Sequence, residues 1–223
     1  NRLPPQPGEW INRQRVLPFH FEDQQYEGLA GDVITSALLA EGIQLLGRSF
    51  KYHRARGSYS LAGHDANVIL ADTTNTNLRG DTTLLTSGLQ LSAVNTTGGV
   101  KSDRLKVINR LSKFLPVGFY YKTFHRPAKL FPFHERQIRK ISGLGAIDPS
   151  WSAPHSPKDY AWCDVLVVGG GPAGLEAALA AGKSGARVLM AEEGAQLGGS
   201  LLWQHGQAEL VTQLSQDLIA LDN

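Results

Sequence analysis

Residues 164–174 read Asp-Val-Leu-Val-Val-Gly-Gly-Gly-Pro-Ala-Gly (DVLVVGGGPAG), and this stretch decides the fold of the C-terminal third of the chain. Its apolar half predicts a buried strand of a parallel sheet, because a strand covered on both faces has no polar alternation. The glycines predict a sharp turn, and LEAALAAGKSGA at 175–186 has the composition of a helix. Arg187-Val-Leu-Met-Ala191 is a second apolar strand, and it runs into Glu192-Glu193. Strand, glycine loop, helix, strand and acid is the order of a Rossmann-type dinucleotide-binding unit.

Each position in that order has a physical task. Gly169 permits the turn out of the strand, Gly171 lets backbone N–H groups approach a pyrophosphate, and Gly174 lets the helix lie close to the strand. Pro172 and Ala173 start the helix, whose unpaired N–H groups and dipole favour phosphate. Glu192 stands 18 positions after Gly174, where a carboxylate accepts from both ribose hydroxyls of an adenosine, and Glu193 is the alternative in register. A carboxylate there repels a 2′-phosphate, so NAD is expected rather than NADP. Gly198-Gly199 beyond the acid points to the two-dinucleotide flavoproteins. The competing reading is a glycine-rich turn that packs without ligand. Only 61 residues run from Cys163 to Asn223, enough for two strands and two helices. The unit at 162–223 is therefore expected to be the start of a larger domain, in a piece of a longer protein.

Upstream, residues 1–11 are rich in proline and read as an extended lead-in. Residues 14–30 alternate around Val16, Phe19, Phe21, Tyr26 and Leu29, which predicts two strands and a turn at Glu22-Asp23-Gln24. Asp32 is the expected N-cap of a helix through VITSALLAEG, stopped by Gly42. Further strands are expected within Asn67–Asp72 and Thr82–Asn95, on either side of a polar loop. Strand, strand, helix and later strands predict an α+β β-grasp domain over 12–100. A helix is expected over Ser102–Phe114, from Leu105, Ile108, Leu111 and Leu115. Residues 113–140 carry seven Lys or Arg, one Glu and seven aromatics without a clear period. They are expected to wrap over a surface, of this chain or of another subunit, as part of a helix and basic–aromatic connector over 101–161. Gly143-Leu144-Gly145 and Pro149–Pro157 read as linker.

The totals exclude several classes. The formal net charge of +2 gives no global field for nucleic acid or acidic lipid. The single cysteine, Cys163, excludes an internal disulfide, a CxxC zinc site and an all-cysteine iron–sulfur cluster within this chain. It reads as a small buried hydrophobe at the start of a strand. No apolar run reaches membrane-spanning length. The seven histidines show no metal spacing, and no residue stands out as catalytic.

Three segments carry a family resemblance: GDVITSALLAEGIQLLGRSFKYHRARG at 31–57, FYYKTFHRP at 119–127, and the GGGPAG loop with its acid and GGSL at 198–201. In that order they resemble the alpha subunits of heterotetrameric sarcosine oxidases. The resemblance implies a β-grasp domain like that of 2Fe-2S ferredoxins, without the cluster, followed by an NAD-binding domain. NAD would then lie on Gly169, Gly171, Pro172, Ala173, Gly174, Glu192 or Glu193, and Gly199. It implies FAD in the beta subunit, FMN at the alpha–beta interface, gamma and delta partners, and a cytoplasmic location. The assembled enzyme would oxidise the N-methyl group of sarcosine, with tetrahydrofolate used by a C-terminal domain absent here. The chain departs from the family at His64-Asp65-Ala66-Asn67, where an acidic pair and Pro-Asn are usual, and at His125. Related assemblies oxidise proline derivatives or opines, so a dehydrogenase scaffold or electron-transfer subunit is the alternative function.

The basic run Arg48, Lys51, Arg54 and Arg56 among Phe50, Tyr52 and Tyr59 has three readings. It is a solvated face, a nucleic-acid surface, or a site near the alpha–beta flavin. The resemblance favours the last for Arg48, Lys51 and Arg54, because arginine holds phosphate through two parallel bonds.

Overall fold

The computed structural model describes all residues except 1, 7–8, 61–62, 66, 116–117, 119–123, 125, 142–144, 146, 153–154, 203 and 205, and the side chains of 140, 141 and 208. Most of FYYKTFHRP, including His125, and two residues of the 143–145 linker thus lie outside the described residues. The chain forms two compact units, one of Arg2 with Ile11–Ser150 and one of Leu3–Trp10 with Trp151–Asn223.

The first unit is built on a hairpin, β1 (Asn12–Phe21) antiparallel to β2 (Gln24–Ala30). Alternation along β1 turns Leu17, Phe19 and Phe21 into the core, as the period of two requires. The turn is two residues, Glu22 and Asp23, and Glu22 adopts φ +55°. Its carboxylate accepts from Ala93 N–H at 3.1 Å, which helps hold a residue with a Cβ in a conformation that favours glycine. Helix α1 (Ile34–Ala40) lays Ile34, Ala37 and Leu38 on the sheet. Gly28 lets β2 and α1 meet, since a Cβ there would stand 2.9 Å from that of Ala37.

Short ladders β3 (Gly47–Arg48) and β4 (Ala55–Arg56) pair with each other. The remaining strands are β5 (Ile69–Ala71), β6 (Leu78–Arg79) and β7 (Gln90–Ala93). The main sheet has the order β2-β1-β7-β5-β6, with β7 parallel to β1. This mixed sheet crossed by one helix is the β-grasp arrangement expected from the sequence. Leu46, Val68, Leu70, Leu85, Leu91, Ala93 and Val100 complete its core.

Three expectations need correction here. Asp32 does not cap α1. Val33 occupies that position without a side-chain bond, and the buried Asp32 carboxylate instead takes Arg2, Leu29 N–H and Ser36 Oγ. Arg2, within the expected lead-in, is thereby tied to the first unit. Gly42 does end the helix, at φ +78°, with Ile43 N–H bonded to Leu38 O and Gly42 N–H to Leu39 O. Second, residues Arg104–Phe114 form a 3₁₀ helix, not an α-helix, and none of them is buried. Leu105, Ile108, Leu111 and Phe114 repeat every third residue, the period of three residues per turn. Third, the basic–aromatic stretch contains a helix that its composition hid, α2 (Phe131–Ile141). Phe131, His134, Glu135 and Ile138 are its half-buried positions, a helical face at i, i+3, i+4 and i+7, and Pro132 suits its first turn.

In the second unit β8 (Val165–Val168) lies parallel to β9 (Val188–Ala191), joined by α3 (Pro172–Lys183). A last helix, α4 (Ala208–Ile219), brings Leu214 onto Leu175 and Leu179 of α3. The strands are not buried on both faces as their apolar run predicted. Leu166 is 57% and Val168 80% exposed, because the helices cover the other face of the pair. Asn223 O accepts from Val188 N–H at 2.8 Å, and its side-chain amide donates to Gly182 O and Ala186 O.

Candidate functional site

The glycine loop bridges β8 to α3. Gly169 has φ +98° and donates its N–H to Ala191 O at 2.8 Å, so the turn stays tied to the neighbouring strand. Gly171 is the N-cap of α3 and has no side-chain cap, and a Cβ on it would meet nothing within 4 Å. The first-turn N–H groups of α3, at Ala173 and Gly174, therefore start at an open surface, Pro172 having none to offer. Gly174 sits against the strand: a Cβ there would lie 1.9 Å from Gly169 O and 3.4 Å from Val167 Cγ1.

Two further glycines close on the loop. Gly198 donates to Gly170 O at 2.7 Å, and Gly199, at φ +50°, would place a Cβ 2.8 Å from Gly171 Cα. Sequence reasoning singled out Gly199 but passed over Gly170, whose Cβ would strike Leu197 and approach Glu192. The x positions of the motif carried no signal for that contact.

Glu192 holds the loop from the end of β9. Its carboxylate accepts from Gly170 N–H through one oxygen and from Gly194 N–H at 2.7 Å through the other. Backbone N–H groups, Gly170 first, then Gly194 and Glu193, hold its pKa below the ordinary carboxylate value. A carboxylate has about four lone-pair sites, so these backbone N–H groups do not use up its capacity to accept from a hydroxyl. Glu193 lies exposed in the bend that follows.

The basic segment is divided by its partners. Arg48 is turned inward, with Nε donating to Val100 O at 2.9 Å and Nη1 to His53 O at 3.1 Å. Lys51 Nζ and Tyr52 Oη both donate to Leu115 O. Arg54 Nε donates to Asn109 Oδ1 at 2.7 Å, its guanidinium carbon 4.7 Å from the Tyr52 ring centre. Under this run lies a pair that sequence reasoning did not find. His53 is buried at φ +52°, with Nδ1 2.7 Å from Oδ2 of the fully buried Asp103. Fifty residues separate them, so no local pattern could have joined the two.

Residues 58–60 and 67 are gathered by Asp65, one of the positions where the sequence departs from the family pattern. Its buried carboxylate accepts from Tyr59, Ser60 and Asn67 N–H and from Ser58 Oγ. Burial pushes the Asp65 carboxyl up, but the bonds from Asn67, Tyr59, Ser60 and Ser58 outweigh it and its pKa lies below the ordinary value. A folded-state pKa below the unfolded value of about 3.9 means stabilisation that is complete at neutral pH and is lost as pH falls through the folded pKa. Thermal melts of the first unit should therefore fall more steeply below about pH 4 in the native chain than in Asp65→Asn. Parallel curves would show that Asp65 is not coupled to stability.

Comparison with known proteins agrees with both units. A model of the 2Fe-2S iron–sulfur cluster binding domain matches residues 14–96, and one of FAD dependent oxidoreductases matches 164–213. Residues 14–96 contain no cysteine, so the thiolates that hold such a cluster are missing and the matched segment does not fit it. The sarcosine oxidase subunit alpha of Rhizobium meliloti (strain 1021) is 41% identical over 197 residues, covering 86% of this chain and 20% of the relative. That of Corynebacterium sp. (strain P-1) is 30% identical over 202 residues, covering 90% and 17%. The chain thus spans about a fifth of the length of the curated relatives it matches. The L-proline dehydrogenase structure from P. horikoshii superposes with a TM-score of 0.54 at 19% identity, over 93% of this chain and 32% of that one, a likeness of fold.

Proposed function

We propose that this chain, which is similar over most of its length to sarcosine oxidase alpha subunits, serves as the dinucleotide-holding part of a flavin-dependent amine oxidoreductase, sarcosine being the substrate favoured. The observation that carries the reading is the loop at 169–174. It has a bare helix N-terminus, glycines pressed on each other, and an acid at the end of the next strand. That arrangement supports a Rossmann-type unit holding NAD. Backbone N–H groups at Ala173 and Gly174 would face the pyrophosphate, and Glu192 would accept from the ribose hydroxyls while keeping its bonds to Gly170 and Gly194. The bound dinucleotide supplies redox chemistry. The chain's residues supply binding and orientation. FAD and FMN, and the beta, gamma and delta partners, belong to the same proposal for the assembled enzyme.

Titration of the intact protein with NAD, and separately with FAD, tests the site. Saturable NAD binding is expected, weakened about tenfold or more in Glu192→Gln, the loss expected when bonds to a charged acceptor become bonds to a neutral one. Equal NAD affinity in the variant would remove Glu192 from the site, and saturation by FAD alone would reassign the loop to flavin. Reduction of the flavin by sarcosine in the assembled complex tests the substrate. Reduction by proline or an opine instead would favour a related dehydrogenase.

A further inference from the structure

A second concave surface lies wholly within the first unit, between the 47–56 hairpin and the 3₁₀ helix 104–114. It has a volume of about 570 Å³, and its walls include Arg54, Arg104, Lys106 and Arg110. Among the described residues none of these four cations is paired with a carboxylate. Arg54 bonds Asn109 through Nε only, which leaves both Nη groups open. Among the described residues the only acid in the walls is Asp103, and it is already engaged by His53 Nδ1, by Thr97 and Leu105 N–H, and at 3.9 Å by Arg48. Like charges gathered in a cleft repel one another and raise the local potential for an anion. His53 lines the same cleft, buried and in the left-handed region, and its Nε2 has no partner. A non-glycine residue held at positive φ and a buried polar atom left unsatisfied both carry a free-energy cost, and such features gather at ligand sites.

We propose that this cleft is a phosphate site, independent of the dinucleotide loop of the second unit. Its donors are the Nη groups of Arg54, with Arg104, Lys106 and Arg110 supplying the opposite wall. Guanidinium groups suit phosphate because two parallel N–H donors match two of its oxygens. The sequence placed the anion on Arg48, Lys51 and Arg54. Arg48 and Lys51 bond backbone carbonyls, and the cations that face this cleft from the 3₁₀ helix are Arg104, Lys106 and Arg110. Arg104, Lys106 and Arg110 are exposed, so replacing them leaves the core intact.

Isothermal titration of the intact protein with inorganic phosphate at low ionic strength tests this, beside Arg54→Gln, the double variant Arg104→Gln/Arg110→Gln, and Gly171→Asp in the other unit. Saturable binding is expected, weakened about tenfold by each arginine set and unchanged by Gly171→Asp, with melting temperatures preserved. A second arm compares riboflavin 5′-phosphate with riboflavin. Tighter binding of the ester than of phosphate identifies a phosphate ester as the occupant, and equal binding identifies the free anion. Absence of saturation, binding insensitive to both arginine sets, or loss of binding in Gly171→Asp would overturn the proposal.

Discussion

Gly174→Ala is expected to cost the second unit about 3 kcal/mol of stability or more and to abolish dinucleotide binding. Overpacking a core with one added carbon costs roughly 1–3 kcal/mol when side chains can yield. Here the added Cβ would stand 1.9 Å from Gly169 O and 3.1 Å from its carbonyl carbon, and backbone does not swing aside. Either α3 lifts from β8 or the turn at Gly169 rebuilds. The first separates Leu175 and Leu179 from the strands, and the second breaks the bond from Gly169 N–H to Ala191 O. The core of this unit is small, with Leu175, Leu179 and Leu214 as its buried cluster, so it has little reserve. For a domain of this size the melting temperature should drop by about 10–20 °C, followed by circular dichroism.

Gly171→Ala is the control that separates fold from function. Its φ of −72° is open to any residue, and its Cβ would meet nothing within 4 Å. Stability should stay within about 0.5 kcal/mol, as for a surface change, while NAD affinity falls because the Cβ enters the space claimed for the pyrophosphate. If Gly174→Ala melts like the native chain, the close approach of helix and strand is not what the glycine secures. If Gly171→Ala binds NAD unchanged, the loop is a turn without a ligand.

The two units differ in how far the sequence foretold them, for reasons that can be named. The hairpin 12–30, helix α1 and the β8–loop–α3–β9 run rest on local signals: alternation along β1, the left-handed Gly42, and glycines at fixed spacing before a helix. Local physics determines those, and they were legible. The exposed face of β8 was not, because an apolar run records what a strand is suited to meet rather than what meets it within these residues. Helix α2 was hidden by its aromatics and arginines, although its half-buried positions do follow a helical period. The partners of Arg48 and Lys51 were not legible either, because the carbonyls they bond lie 52 and 64 residues away. Asp32 was misread in the same way, since the cap rule is local and its partner Arg2 lies 30 residues back.

The same long-range logic makes Asp103→Ala the second large effect, with an expected loss of about 3 kcal/mol or more in the first unit, because each buried donor left without its acceptor costs about 1–3 kcal/mol. Its carboxylate does three jobs at once. It accepts from Leu105 N–H at 3.2 Å as N-cap of the 3₁₀ helix, ties Thr97 N–H at 3.0 Å, and faces His53 Nδ1. Alanine would leave the ring of His53, 1% exposed, with neither nitrogen satisfied, and would strip Arg48 of its nearby countercharge. Asp103→Asn keeps an acceptor oxygen for the two N–H groups and should cost less by about 1 kcal/mol or more, the difference between charged and neutral bonds. His53→Asn is the partner change for a double-mutant cycle, because asparagine tolerates the left-handed backbone at φ +52°. If the pair is what Asp103 secures, its replacement by alanine should cost less in the His53→Asn background by about 1–3 kcal/mol. Additive losses would place the value of Asp103 in its caps alone. The cleft lined by Arg54 and Arg110 would then owe its shape to the 3₁₀ helix rather than to the buried histidine beneath it.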